Sequence, residues 1–344
     1  MSTPVLEISR SAFRADLDAV RARLGESRLL LVMKDDAYGH GIGWAVPEAE
    51  SAGVDWFGSY DIPSALRIRP LTTGRVYAWA TSSTDEVEAA LNADVELGVG
   101  SADYLADVIA AAERLGIGAG VHLKIDTGLH RNGFRPEQWR EAIETSLAAQ
   151  RRGLIRVVGV WSHLAEASDE EDDAAQRVFR GAVHELEQAG GAPEVLHLTA
   201  SAAAWWRPEL RGTLSRVGAF CYGIRSAGGP QPDGLTLISR LIATVDAVDD
   251  GEVRLGIGSF HGLPSILSGV EVGTPGGPRR IIRIDGDRTL LEPWPGARKG
   301  DRVTVFGPGR DGEQDATALA ERIGSVGEEI LTRLTPEVRR VLID

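Results

Sequence analysis

The sequence has a single cysteine, Cys221, in 344 residues. An internal disulfide and a cysteine-based metal cluster are therefore both excluded, and a reducing compartment fits. No apolar run approaches the ~18 residues of a membrane span. The opening MSTPVLEISRSAFRADLD carries early charges where a signal peptide would carry an apolar core. Positive charge is scarce too: 37 Lys and Arg stand against 50 Asp and Glu, a net −13, which disfavours non-specific attraction to nucleic acid or an anionic membrane. These absences lead to the expectation of a cytoplasmic protein with neither nucleic acid nor membrane as partner. What is present is globular composition, 43% hydrophobic and 25% charged, with 41 glycines that signal many tight loops.

The chain is long for one simple domain. From about residue 10 to 230 short aliphatic runs alternate with longer helical patterns, as expected of repeated βα units. Candidate strands lie at 29–33, 55–59, 76–80, 96–99, 120–125, 157–162, 195–198 and 218–222. Between them, AFRADLDAVRARLG, SADYLADVIAAAERLG and DDAAQRVFRGAVHELEQAG have apolar residues at helical spacing, acidic starts and glycine stops. After GGPQPDGL the pattern changes. LTLISRLIATVDAV, EVRLGIG, RRIIRID, TLLEPW and DRVTVFG read as strands separated by Gly, Pro and Asp turns, and DATALAERIGSVGEEILTRL reads as closing helices. The expected fold is α/β: a (β/α)8 TIM barrel over 10–230, followed by a smaller, mainly β C-terminal domain over 231–344, with residues 1–9 a candidate extra strand of the latter.

In a parallel barrel the active site lies at the C-terminal ends of the strands. In LLLVMKDDAYGHG, Lys34 follows five apolar residues. It reads either as a solvated loop charge or as a partly desolvated amine able to condense with an aldehyde. In VHLKIDTGLHRNGF, Lys124 sits within an apolar strand and needs a partner for its charge, while Asp126, Thr127 and Arg131 follow around a glycine turn. His163 ends the apolar run of VVGVWSH, a place for a satisfied rim histidine or for a functional one. Ser201 in LHLTASAAAWW reads as a helix N-cap, a position that also suits phosphate, and Arg216 precedes Gly218 in LSRVGAF.

Taken in order, these clusters resemble the alanine racemase family, fold type III of the pyridoxal-phosphate enzymes, over essentially the whole chain. The family's V-x-K-A-x-A-Y-G-H-G appears as VMKDDAYGHG, together with KIDTGLHR and SRVG at matching spacing. The resemblance implies that Lys34 holds pyridoxal 5′-phosphate as a Schiff base and is one base at the α-carbon of an amino-acid substrate. It implies that Tyr38, Ser201 and the backbone of Gly218 and Ala219 grip the phosphate, that His163 lies against the pyridine ring and that Arg216 hydrogen-bonds the ring nitrogen. Arg131 would face the phenolic oxygen and the substrate carboxylate, braced by Lys124, which matches a family lysine that is often carbamylated. The family is dimeric, so a homodimer is expected.

The C-terminal half departs from the family. Racemisation there uses a second base, a tyrosine from the partner's C-terminal domain, yet no tyrosine follows Tyr222. IGSFHGLP stands where G-Y-x-D-G-x-P is expected, and the segment before it is about ten residues short of the family pattern. RIDGDR puts Gly286 in place of the methionine of R-x-x-M-D, and Glu328 replaces a tyrosine near the phosphate. His261, Asp285 and Asp287 are candidate replacements for the second base, with His261 best matched in pKa. The expected function is a racemase or epimerase with a non-standard second base. The alternatives are a different pyridoxal-phosphate reaction (decarboxylation, elimination or aldol cleavage), or one subunit of a heterodimer with a racemase-like paralogue that keeps the tyrosine.

Overall fold

A computed structural model describes residues 3–249 and 251–344. The chain forms two compact units, Val20–Lys34 with Ile42–Gly218, and the N-terminal residues to Ala19 with Asp35–Gly41 and Ala219–Asp344. The first strand, β1 (Val5–Ser9), belongs to the second unit.

The first unit holds eight strands: β2 (Arg28–Val32), β3 (Trp56–Ser59), β4 (Arg75–Ala78), β5 (Val95–Val99), β6 (Ala119–Lys124), β7 (Ile155–Trp161), β8 (Val195–His197) and β9 (Leu214–Val217). They pair in parallel in the order β8-β7-β6-β5-β4-β3-β2-β9. The remaining seam is bridged by the Arg216 N–H on Thr199 O at 3.2 Å and the Leu196 N–H on Thr213 Oγ1 at 2.9 Å. This is the expected (β/α)8 barrel, nearly closed. Its helices start and stop on the signals in the sequence. Ser101 Oγ accepts the Tyr104 N–H at 3.3 Å to open Ala102–Leu115, and Gly116 closes that helix at φ +67°. Asp169–Gln188 opens on Ser168 with four acids in its first turn, where the helix dipole favours negative charge.

Seven strands lie within two residues of their expected places. The eighth does not: it is Leu214–Val217, and Ala219–Tyr222 is a 3₁₀ turn. Every residue of that turn is buried, and an unbroken apolar run does not distinguish a strand from a buried turn.

The floor of the barrel is closed by charge. Arg28 pairs with Asp55 at 2.6 Å, and Arg75 and Arg156 each pair with both Glu96 and Glu194. The Arg75 guanidinium also lies 4.0 Å from the centroid of the buried Trp56 ring, a cation–π contact that helps to desolvate the network.

In the second unit β10 (Ser239–Asp249) pairs antiparallel with β1, which pairs in parallel with the last strand, Arg339–Ile343. β11 (Glu252–Leu255), β12 (Glu271–Val272), β13 (Arg279–Ile284), β14 (Thr289–Leu291) and β15 (Arg302–Phe306) complete this sheet, and Ala316–Arg322 and Gly327–Thr332 are the closing helices. Among the described residues no helix is long and apolar enough to cross a membrane.

Asp35, Asp36, Ala37 and Tyr38 all have φ between +52° and +57°, one turn of left-handed helix. L-residues adopt it at roughly 1–2 kcal/mol each, so the turn must be held from outside. The His40 ring donates Nδ1–H to Ala37 O at 2.8 Å and accepts the Ser239 hydroxyl on Nε2 at 2.9 Å, and Arg340 Nε donates to Gly39 O at 3.1 Å. Burial lowers the His40 pKa to about 4, in keeping with a neutral ring. Gly39 has φ +79°, and a Cβ there would lie 2.9 Å from Leu331 O. Gly39→Ala is expected to destabilise the second unit by about 2 kcal/mol, read as a lower urea midpoint.

Candidate active site

Six of the residues singled out in the sequence stand at or just beyond the C-terminal ends of barrel strands. Lys34 follows β2, Lys124 ends β6, His163 follows β7, Ser201 opens the helix after β8, Arg216 is on β9 and Gly218 follows it. Lys124 is the last residue of its strand.

Arg216 is 4% exposed and organises the group. One terminal nitrogen donates to His197 O at 2.8 Å and His197 Nδ1 at 3.2 Å. The other donates to Ser162 O at 2.8 Å, His163 Nδ1 at 3.0 Å and Leu198 O at 3.2 Å. Among the described residues Nε has no acceptor. Burial pushes the guanidinium pKa down to about 10, which leaves it charged at neutral pH. A buried guanidinium with one unused donor at the mouth of a barrel fits a ligand that brings an acceptor, as a pyridine nitrogen does.

His163 is held neutral. Burial lowers its pKa to about 3, and the charges of Arg216, Arg131, Lys124 and Lys34 act in the same direction. Its Nδ1 accepts from Arg216, so its proton sits on Nε2. Lys124 is 5% exposed with Nζ 4.4 Å from the Trp161 centroid. Burial takes it down to about 8, assisted by Arg216 and Arg131 and opposed by Asp126. Arg131 is exposed on the loop beyond β6 and lines an open hollow of about 770 Å³ with Asp126 and Arg135. Asp126 shapes that loop: Oδ1 accepts the N–H groups of Gly128 and His130, and Oδ2 meets His130 Nδ1 at 3.0 Å. Burial alone would raise the Asp126 pKa, but these bonds leave it lowered. Ser201 Oγ accepts the Gly218 N–H at 3.1 Å, joining two of the expected phosphate contacts.

The second unit carries Tyr38, Ala219 and His261. Tyr38 is buried against Tyr222, with ring centroids 5.0 Å apart. Burial raises its pKa far above the usual phenol, as do the charges of Glu328 and Asp35, while the Ala219 N–H bonded to it works the other way. His261 accepts the Gly258 N–H on Nδ1 at 3.1 Å, so a neutral ring carries its proton on Nε2. A Cβ on Gly286 would lie 2.7 Å from the Phe260 ring, which is itself 71% exposed, so Phe260 covers the place where a longer side chain would start. β10 and β11 pair as far as Asp249 with Glu252. In the sequence only Asp250 and Gly251 separate them.

The sequence reading missed Glu96, His122 and His197, all buried in the barrel. The available cue was parity: His122 and Lys124 are two apart on β6 and share its inner face.

The family profile described as alanine racemase, N-terminal domain, matches residues 8–226. The chain belongs to the alanine racemase family. The alanine racemase of Beutenbergia cavernae is 33% identical over 97% of this chain and 96% of its own length, and that of Mycolicibacterium smegmatis is 33% identical over 98% and 94%. The solved alanine racemase of Streptomyces coelicolor superposes with a TM-score of 0.94 at 30% identity, covering 99% of this chain and 98% of that one. Membership makes the chain a racemase-like isomerase of a pyridoxal-phosphate-dependent family, and the barrel donors, Arg216 Nε foremost, fit that cofactor.

An unfolded lysine titrates near ~10.4 and folded Lys124 near 8. Between those values the unfolded chain holds the extra proton, so stability is expected to rise as pH climbs through that window. In bicarbonate-free protein, Lys124→Met is expected to abolish the rise and to increase stability at neutral pH, read by urea melts across the range.

Proposed function

We propose that this chain is a cytoplasmic pyridoxal-phosphate enzyme that racemises or epimerises an amino acid, using Lys34 on one face of the α-carbon and a group other than the family's tyrosine on the other. The observation that carries the reading is the unused Arg216 Nε beside a neutral His163, which lies within electrostatic reach of Lys34.

When bound, the cofactor spreads the electron pair left at the α-carbon once its proton is removed. Lys34 would hold the cofactor, and its amine, freed when the substrate amine takes its place, would remove or return that proton. Arg216 donates Nε–H to the ring nitrogen and, because an arginine does not give up its proton, keeps that nitrogen unprotonated. This moderates the electron withdrawal and favours controlled proton removal over side reactions. His163 lies against the ring. Ser201, Tyr38 and the backbone of Gly218 and Ala219 hold the phosphate, and Arg131 takes the phenolic oxygen and the substrate carboxylate. Lys124, depressed toward neutrality by burial, would add its neutral amine to carbon dioxide, release one proton to solvent and brace Arg131 as a carbamate. His261 is the replacement proton carrier, with Nε2–H presented while Nδ1 is tied to Gly258, and it serves the barrel of a second subunit in a homodimer.

The short β10–β11 connection also favours a second reading. A decarboxylation, elimination or aldol cleavage needs proton transfer on one face only, and a heterodimer would take the tyrosine from a racemase-like paralogue.

The deciding experiment incubates the purified protein and cofactor with L- and D-amino acids in heavy water, with Lys34→Ala as control. Deuterium at the α-carbon together with the opposite enantiomer is expected, along with loss of at least about a thousandfold in Lys34→Ala. Exchange with retained configuration would sink the stand-alone racemase and favour the second reading. With ¹³C-bicarbonate, a carbamate carbon resonance is expected that Lys124→Ala lacks.

A further inference from the structure

A line of polar side chains crosses the barrel interior, a region that parallel barrels ordinarily fill with branched apolar residues. Glu96 Oε2 meets His122 Nε2 at 2.8 Å, His122 Nδ1 meets His197 Nε2 at 2.9 Å, and His197 Nδ1 meets an Arg216 terminal nitrogen at 3.2 Å. Both histidines are 0% exposed and Glu96 is 6% exposed. The contact has been given room: a Cβ at Gly159 would lie 2.8 Å from His122 Nδ1.

The two ends dictate the direction of every bond. Arg216 can only donate, so His197 Nδ1 accepts and its proton is on Nε2. That proton goes to His122 Nδ1, which places the His122 proton on Nε2, facing Glu96. An ionised carboxylate can only accept, so the same assignment follows from the other end. Burial works against ionisation of Glu96, but the His122 hydrogen bond and Arg75 outweigh it and its pKa is lowered. Burial lowers the pKa of both histidines, which keeps them neutral.

We propose that Glu96 is a positioning residue which, through His122 and His197, fixes one tautomer along the relay and holds the Arg216 guanidinium in the orientation that leaves Nε for the cofactor's ring nitrogen. The inference rests on the cofactor reading above. The ion pairs of the floor do not require it, since Oε1 of Glu96 serves Arg75 and Arg156 while Oε2 alone faces His122. Negative charge at the floor thus reaches Arg216 through three aligned hydrogen bonds and makes it a weaker donor, so the ring nitrogen is kept further from protonation.

The test uses the holoenzyme with ¹⁵N-labelled histidine, assigned by single substitutions. His122 and His197 are expected as neutral Nε2–H tautomers at neutral pH; an imidazolium or an Nδ1–H tautomer at either overturns the relay. His122→Phe cuts it while leaving the Glu96–Arg75 pair in place, and Glu96→Gln removes the charge and leaves one acceptor oxygen in place of two. Both are expected to shift the absorption band of the bound cofactor in the same direction and to lower the rate of α-deuterium exchange at saturating substrate, about tenfold for His122→Phe, with KM little changed. Arg28→Gln, which loosens the floor without touching Glu96, is expected to leave band and rate unchanged. If Glu96→Gln behaves like Arg28→Gln, Glu96 is structural and the proposal fails. A wild-type protein with the expected tautomers but no cofactor band would overturn the cofactor reading, and the positioning role with it, while leaving the polarity of the relay standing.

Discussion

A guanidinium buried inside a barrel must find an acceptor for nearly every N–H or destabilise the fold. Much of the barrel's upper half is arranged to meet that demand for Arg216. The carbonyls of Ser162, His197 and Leu198 turn toward it from the ends of neighbouring strands, and His163 and His197 lend ring nitrogens. Each of these groups is thereby fixed in place or in protonation state. His163 is held neutral by burial and by the positive charges around it, and Lys124 is driven toward neutrality by burial and, secondarily, by Arg216 and Arg131. The site is rigid because the cost of an unsatisfied cation is spread over three strands.

The barrel was legible because its strands are buried on both faces and interrupted by capped helices, and these leave a strong pattern in residue order. Lys34, Lys124 and His163 stood out for a related reason, each being a polar residue that ends or follows an apolar run. Glu96, His122 and His197 did not. Inside a strand a polar residue shows only its parity, and nothing in one strand tells which residue of another it meets; the Glu96–His122–His197 line spans three strands. The left-handed turn was illegible in a different way, since KDDAY contains no glycine to advertise positive φ. Its conformation is held by His40 close by and by Ser239 and Arg340, which are distant in the chain from the turn they hold.

The contrast between the two units is chemical as well as architectural. The barrel unit gathers Lys124, His163, Ser201 and Arg216 at or just beyond the ends of its strands, with Arg131 on the loop after β6. The second unit has β10 and β11 paired as far as Asp249 with Glu252, Gly286 under the exposed Phe260, and the Glu328 charge acting on Tyr38.

The left-handed turn after Lys34 has a consequence for the order in which the protein is made. Ser239 holds the His40 ring that bonds Ala37 O, Arg340 donates to Gly39 O, and Leu331 lies over Gly39. When residues 35–38 leave the ribosome Ser239, Leu331 and Arg340 have not been synthesised, and unsupported L-residues leave that conformation at once. The lysine motif is among the first parts of the chain to be translated and among the last to take its native form. A truncated or stalled chain that lacks Ser239, Leu331 and Arg340 therefore lacks the groups that hold this turn.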